Sequence, residues 1–355
     1  MCGIAGFVTA GGAADGGVLQ QMLARIAHRG PDGQGVFVEG RAALGHRRLA
    51  IIDLDGGPQP MFNEDGHLAV VFNGEIYNYS ALTEELTAAG HTFATHSDTE
   101  VLLHGWEQWG KALPGKLRGM FAFVVYDTKT NVMYGARDIF GVKPFYYTQT
   151  DAGELLFGSE IKSLLEHPGF RREVNPEALR PYLTFQYSAM NETFFKGIFK
   201  LPPAHCMTVR ADGSLEMRRY WRPEYAFDEG RSREDTVEAI DAAMRESVRY
   251  HNVADVEVGS FLSSGIDSSY MAACLAKENP AIKTFTVGFA EYEGEQVSGQ
   301  PGGRFRLNRD PKQFASVQAY LRRQGRFRAL SDDEAAAVEQ GRDAKWEVMR
   351  REWRG

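Results

Sequence analysis

Cys2, directly behind Met1, is the residue of this sequence best placed for covalent chemistry. If Met1 is removed, which the small residue behind it permits, a thiol and a free α-amino group stand on one residue. An unperturbed thiol has a pKa of about 8.5 and an α-amino group has one of about 7.7–8.0. The amine can then accept the thiol's proton, and the sequence predicts a nucleophile that needs no separate histidine. The alternative is a cysteine that follows a start codon by chance.

Asn73 and Gly74 come directly after the apolar run 68–72. An Asn-Gly pair behind a strand is normally a hairpin turn. Attack on an amide, however, develops negative charge on the carbonyl oxygen, and an oxyanion hole supplies preorganised donors for it. The side-chain amide of Asn73 and the backbone N–H of Gly74 have the required chemistry. Spacing alone leaves both interpretations open.

Arg48 and Asp98 also have two interpretations. Arg48 belongs to the strand-like run 42–53, where neighbouring arginines usually form a solvated edge. Its planar guanidinium is equally suited to gripping both oxygens of a carboxylate. Asp98 precedes a helical pattern, where an acid often caps the helix.

A serine- and glycine-rich loop at 263–269 separates the strand-like run 256–262 from a helical pattern. Such a loop can hold phosphate oxygens with backbone N–H groups at the helix N-terminus. A serine-capped helix behind a glycine turn is the alternative. The next predicted strand is 284–289.

Three motifs occur in a characteristic order: Met-Cys-Gly-Ile-Ala-Gly-Phe at 1–7, His-Arg-Gly-Pro-Asp at 28–32 and Phe-Asn-Gly-Glu-Ile-Tyr-Asn at 72–78. They resemble those of the class II glutamine amidotransferases and, within them, the glutamine-hydrolysing asparagine synthetases. The resemblance implies that the catalytic residues are Cys2, Asn73 and Gly74. It also implies a glutamine pocket with Arg48 on the carboxylate and both Glu75 and Asp98 on the α-ammonium. The implied pocket residues are Arg48, Leu49, Ala50, Ile51, Ile52, Asn73, Gly74, Glu75 and Asp98.

The serine-rich loop is similar to the pyrophosphatase loop of ATP-dependent amide-forming enzymes, commonly Ser-Gly-Gly-x-Asp-Ser, with Ser264 at the first glycine. The resemblance implies ATP with Mg²⁺ as the substrate complex, and assigns no protein residue to a metal ion. The implied ATP-binding residues are Leu262, Ser263, Ser264, Gly265, Asp267, Ser268 and Val287.

The residues around Cys2 must be positioned by many short predicted strands and few helices. With the resemblance, these elements predict an α+β protein whose glutaminase domain has the four-layer αββα fold of N-terminal nucleophile hydrolases. The start of an α/β ATP-pyrophosphatase-type domain (PP-loop, adenine nucleotide alpha hydrolase-like) should follow. The predicted divisions are a class II glutamine amidotransferase domain at 1–205, a linker at 206–234, a partial ATP-binding domain at 235–295 and a divergent basic tail at 296–355.

Composition limits the other possibilities. A length of 355 residues suggests two domains, and the net charge of −7 argues against a general nucleic-acid binder. The three cysteines are too sparse for a disulfide framework, and no apolar run is long enough to span a membrane. We therefore expect a cytoplasmic protein with glutamine, aspartate and ATP as partners. A homodimer is one possible assembly.

The predicted function is that of a glutamine-hydrolysing asparagine synthetase, in which ammonia released at Cys2 amidates aspartate with ATP. The resemblance stops near residue 295, and residues 300–355 contain 13 Lys/Arg and 8 Asp/Glu in an unrelated pattern. The synthetase half is therefore expected to be incomplete. Two alternatives stay open: a stand-alone glutaminase that donates ammonia to another protein, and a non-catalytic remnant or interaction module.

Overall fold

The computed structural model describes residues 1–285 except 54–56, 189, 227, 229 and 264. The chain divides into two compact units, Met1–Glu229 with Val253–Val256 and Gly230–Asn252 with Glu257–Gly355. The predictions for Ser264, Val287 and the tail 296–355 lie outside the described residues. Of the helices that the structure describes, none is both long and apolar enough to cross a lipid bilayer.

The first unit is built on two six-stranded antiparallel sheets. Their strands are β1 Gly3–Val8, β2 Gly33–Glu39, β3 Ala42–Arg48, β4 Met61–Phe62, β5 Leu68–Ile76, β6 Gly119–Asp127, β7 Val132–Arg137, β8 Tyr146–Gln149, β9 Leu155–Gly158, β10 Phe199–Lys200, β11 His205–Val209 and β12 Leu215–Arg219. The first sheet has the order β10-β8-β9-β1-β3-β2, and the second has the order β12-β11-β7-β6-β5-β4.

Five helices accompany the sheets. They are α1 Gly16–Arg25, α2 Tyr79–Ala88, α3 Glu100–Trp109, α4 Ile161–Leu164 and α5 Pro176–Phe185, with short 3-10 turns at Ala27–Arg29 and Gly110–Gly115. The side chain of Asp15 caps α1 and that of Asn175 caps α5. Both caps satisfy a backbone N–H that has no partner inside its helix.

The strand periodicity produces the layers. Alternate residues of a strand point to opposite faces, so Ile4 and Val8 of β1 enter one core while Phe7 enters another. The first core lies between the sheets. The second packs α1 and α4 on the outer face of the first sheet, and a third packs α2 and α3 on the outer face of the second sheet. The predicted α+β class and four-layer αββα arrangement are confirmed.

The second unit contains α6 Arg233–His251, β13 Gly259–Phe261, α7 Ile266–Glu278 and β14 Lys283–Phe285. The two strands are parallel, with Ser260 opposite Thr284. A strand, a crossover helix and a parallel strand form the βαβ unit expected at the start of an α/β domain. Its small core includes Val248, Cys274 and Leu275.

The range 206–234, which the sequence assigned to a linker, contains β11 and β12 of the second sheet. Met207 and Val209 are buried in the core between the sheets, and β11 pairs with β7. The proline pair at 202–203 comes just before β11. The strand pattern of β11 is only five residues long, which makes it easy to miss.

Candidate active site

The core between the sheets positions Cys2 and Asn73. Ile4, Val8 and Val71 all lie in that core. Cys2 precedes Ile4 by two residues and Asn73 follows Val71 by two, so strand alternation turns both side chains to the face between the sheets. Cys2 and Asn73, which are 71 positions apart in the chain, therefore face the same core.

Cys2 is held at the start of β1. Its Sγ lies 3.4 Å from the Leu49 carbonyl oxygen and 3.3 Å from the Leu49 backbone nitrogen, and Arg29 Nε donates to the Cys2 carbonyl oxygen at 2.9 Å. Burial raises the pKa of the Cys2 thiol above its usual value, and the Leu49 hydrogen bond and the positive charges of the Met1 α-amino group, Lys143 and Arg48 offset only part of that rise. These cations favour the thiolate, which is the nucleophilic state.

Asn73 and Gly74 lie inside β5, which continues to Ile76, so the hairpin-turn interpretation is excluded. Asn73 is 1% exposed, and its Nδ2 has no hydrogen-bond partner among the described residues. Leaving a buried donor unpaired costs free energy, but an oxyanion hole requires a donor that is ready before the charge forms. At Gly74 an added Cβ would lie 2.2 Å from the Met120 carbonyl oxygen, so only glycine fits.

One pocket collects almost all of the residues predicted for the first site. Cys2 and the five consecutive residues from Arg48 to Ile52 line it, together with Gly74, Glu75 and Asp98. The remaining lining residues are Gly57, Gln59, Phe72, Ser97 and Thr99. Asn73 is buried beside the pocket rather than part of its wall.

Two carboxylates, those of Glu75 and Asp98, interact at the acidic end of the pocket. Asp98 is 5% exposed, and its Oδ2 accepts a hydrogen bond of 2.9 Å from the Ile76 backbone nitrogen. Burial, reinforced by the negative charge of Glu75, raises the pKa of Asp98 to about 7. A ligand cation beside Glu75 and Asp98 would favour the ionised form of both carboxylates. Asp98 does not act as a side-chain cap for α3.

The second unit carries the serine-rich loop between β13 and α7. Ser268 Oγ lies 2.7 Å from Ser263 Oγ and accepts from the Ser263 backbone nitrogen at 3.2 Å. Gly265 precedes the helix, and no side-chain hydrogen bond caps it there. No side chain of the described residues caps the first N–H groups of α7, and with the surrounding hydroxyl groups these N–H groups form a donor set suited to phosphate oxygens. Leu262 donates its N–H to Phe285 O at 2.8 Å, whereas Asp267 is exposed.

Comparisons with known proteins agree with the motifs. The glutamine amidotransferase domain family matches residues 1–221, and the asparagine synthase family matches residues 239–300. Asparagine synthetase [glutamine-hydrolyzing] 1 of Bacillus subtilis is 42% identical over 281 residues, which cover 79% of this chain. The chain belongs to the glutamine amidotransferase domain family, and it is similar to the glutamine-hydrolysing asparagine synthetases.

A second asparagine synthetase of Bacillus subtilis, numbered 3, is 39% identical over 302 residues. The matched regions are 44% and 48% of the two relatives, so the chain spans about half the length of the curated relatives it matches. Glutamine phosphoribosylpyrophosphate amidotransferase of Bacillus subtilis, solved with ADP and GMP, is 18% identical, with a TM-score of 0.47 over 84% of this chain and 69% of that chain.

Two residues at or near the site, Gln59 and Lys143, lie outside the family motifs. Gln59 donates to Thr99 Oγ1 at 3.1 Å and accepts from the Phe72 backbone nitrogen at 2.6 Å, so it ties β5 to the segment before α3. Lys143, 4% exposed, is close enough to Cys2 and Glu75 to affect them electrostatically. Neither Gln59 nor Lys143 was singled out from the sequence.

Arg48 ends β3 and turns its guanidinium into the pocket wall, where Nη2 donates to the Asp53 carbonyl oxygen. A Cβ at Gly57 would lie 3.1 Å from that Nη2, so the small residue leaves room for the arginine. The solvated-edge interpretation does not describe this residue, because it is partly buried at the pocket.

Proposed function

We propose that this chain hydrolyses glutamine to glutamate and ammonia at Cys2. The observation that carries the proposal is a single pocket that combines the Cys2 thiol, the Arg48 guanidinium and the carboxylates of Glu75 and Asp98. These groups complement an amino acid: Arg48 suits its carboxylate, and the two acids suit its ammonium. A glutamine held by its α-carboxylate and α-ammonium groups would present its side-chain amide to Cys2.

The chemistry follows from the proposed positions. Once Met1 is removed, the α-amine of Cys2 accepts the Sγ proton, and Sγ attacks the amide carbon. Asn73 Nδ2–H and Gly74 N–H stabilise the oxyanion. Collapse of the intermediate breaks the C–N bond, and the α-ammonium returns its proton to the departing ammonia. Water then attacks the glutamyl thioester with the amine as base, which releases glutamate and restores the thiol.

We propose further that the ammonia serves the ATP-dependent amidation of aspartate, as the names and family of the relatives suggest. The serine-rich loop at 263–269 would hold the phosphates of MgATP through Ser263, Gly265, Ser268 and the first N–H groups of α7. ATP supplies the phosphoanhydride bond that activates a carboxylate for amide formation. The three free cysteines are typical of a reducing compartment and support a cytoplasmic location.

A stand-alone glutaminase is the second candidate. It is favoured by the observation that every residue lining the pocket belongs to Met1–Glu229. In this case the ammonia acceptor would be another protein.

Amino-acid analysis after incubation with glutamine, aspartate and MgATP tests both candidates. Glutamate together with asparagine supports the complete reaction. Glutamate alone supports the stand-alone glutaminase. A correctly processed protein that forms neither product, or a Cys2→Ala variant that still forms glutamate, would overturn the assignment of Cys2.

A further inference from the structure

A cluster of imidazole and carboxylate groups lies between the end of α2 and the outer part of α3, outside the lining of the glutamine pocket. His91 follows α2, and His104 and Glu107 lie one turn apart on α3. One ligand atom from each of these residues lies within 4.8 Å of the other two. The motifs of the family do not include any of the three.

The distances suit a tetrahedral ion. Glu107 Oε2 is 3.2 Å from His104 Nδ1 and 3.5 Å from His91 Nδ1. Ligand atoms bonded tetrahedrally to zinc at 2.0–2.1 Å stand about 3.3–3.4 Å apart. Glu64 Oε1, at 3.9 Å from His104 Nδ1, is near enough to provide a fourth ligand after a small movement of its exposed side chain.

Each of these groups is also oriented by a second residue. His91 Nε2 is 3.3 Å from Gln108 Oε1, and Asn63 Nδ2 donates to Glu107 Oε1 at 2.8 Å. The hydrogen bond to Gln108 favours the tautomer of His91 that leaves Nδ1 unprotonated. The hydrogen bond from Asn63 is made to Glu107 Oε1, so the other carboxylate oxygen, Oε2, faces the two histidines. Outer hydrogen bonds of this kind are typical of metal-binding histidines and carboxylates.

His104 is the most buried of the three residues. Its side chain is 2% exposed, whereas those of His91 and Glu107 are 17% and 24% exposed. Its Nδ1 lies 3.2 Å from Glu107 Oε2 and 3.9 Å from Glu64 Oε1, and its Nε2 lies 3.5 Å from Glu100 Oε1 and makes no hydrogen bond in the described part of the chain. A cation between Nδ1 and the carboxylates of Glu107 and Glu64 would bind all three groups.

We propose that His91, His104 and Glu107 bind one divalent transition-metal ion of the zinc class. Two imidazoles and a carboxylate are suitable ligands for zinc. The ion would join His91 to α3 and so brace the intervening segment, which includes Asp98 of the glutamine pocket. Its expected effect is on stability, with no part in the glutaminase chemistry.

Titration of the purified, metal-stripped full chain with Zn²⁺ tests the proposal. One equivalent should bind, Co²⁺ should give the intense visible spectrum of a tetrahedral site, and zinc at about 100 times its Kd should raise Tm by about 5–10 °C. Because thiolates also bind zinc, the titration is repeated with Cys2→Ala, where binding should persist. None of these readouts depends on glutaminase activity, so failure of the proposed function would not affect them.

Variants identify the ligands. His91→Ala and Glu107→Gln are near the surface and should fold, and each should weaken zinc binding more than about 100-fold, whereas Gln108→Ala should weaken it about 10–100-fold. His251→Ala and Glu85→Gln change an exposed histidine and an exposed glutamate elsewhere and should bind like the parent. An unchanged affinity in both His91→Ala and Glu107→Gln would overturn the proposal. So would a parent protein that binds no zinc.

Discussion

The two units of the chain bury their strands very differently. In the first unit, two six-stranded sheets cover each other's inner faces and helices cover both outer faces. The described part of the second unit pairs two short parallel strands, and it leaves Phe261 of β13 78% exposed and Ile266 of α7 74% exposed.

Parallel sheets are normally buried on both faces, because crossover helices pack against them. In the second unit, Val237 and Ile240 on α6 are each 59% exposed as well. The difference indicates that the glutamine pocket has the core it needs to hold its residues in place. The serine-rich loop, in contrast, has the strand–loop–helix arrangement proposed to hold phosphates, but the described part of its unit is sparsely packed.

The largest expected effect is that of Cys2→Ala. Loss of the nucleophile should lower kcat for glutamate formation by about 10⁶-fold, the size seen for a catalytic serine, with near-normal binding of glutamine. Stopped assays for glutamate measure the loss of kcat, and calorimetric titration with glutamine measures the binding. Residual activity close to that of the parent would show that another group attacks the amide.

Asn73→Ala should have the next largest effect. Removing one oxyanion donor should lower kcat by about 10²–10³-fold with little change in KM, because the donor acts mainly on the transition state. Steady-state kinetics separate the two constants. A rise in KM at constant kcat would instead mean that Asn73 contributes to binding of the ground state.

Asp98→Asn should weaken glutamine binding and stabilise the empty protein. Loss of a charged hydrogen-bonding group should raise KM by about 10–100-fold. The pKa of Asp98 is raised from 3.8 to about 7, so the stability contributed by the neutral carboxyl is fully present below 3.8 and is lost as the pH rises towards 7. The variant should therefore be more stable than the parent at about pH 8, by as much as about 4 kcal/mol.

Urea unfolding at about pH 4 and about pH 8 measures this difference, which should be small at the lower pH. If the two proteins are equally stable at both values, the pKa of Asp98 is not raised. The parent should also bind glutamine more tightly as the pH rises through about 7, whereas the variant should lack this dependence.

The smallest expected effect tests the second unit. Ser268→Ala removes the hydroxyl that contacts Ser263 and Gly265, and it should weaken MgATP binding about 10-fold. Equilibrium titration measures the affinity, with Ser247→Ala on α6 as a matched serine control. If the parent protein does not bind MgATP, the two units differ in function as well as in packing. If the parent and Ser268→Ala bind MgATP equally tightly, the loop is not the binding site.

Sequence reasoning reached the layers and most of the pocket because their signals are local. Cys2 and Asn73-Gly74 lie within short motifs, and the continuous apolar runs of β1 and β5 predict strands that are buried on both faces. The reasoning placed the end of the sheet too early, since β11 and β12 are short and follow a Pro-Pro pair.

Gln59 and Lys143 could not be identified from sequence because their roles depend on tertiary contacts. Gln59 joins β5 to residue Thr99 through both ends of its amide. Lys143 approaches Cys2 from a segment more than a hundred residues away. The pairing of His91 with His104 likewise depends on how α2 and α3 pack.

The beginning of β1 has a practical consequence for preparing the protein. Met1 is 58% exposed, whereas β1 is buried from Gly3 onward and pairs with β3 and β9. An affinity tag fused ahead of Met1 would therefore extend into solvent, and the tagged protein should still fold and purify well. It would nevertheless keep the Cys2 nitrogen locked in a peptide bond. A purification handle placed at the other end avoids a preparation that passes every check of folding and yet lacks the amine.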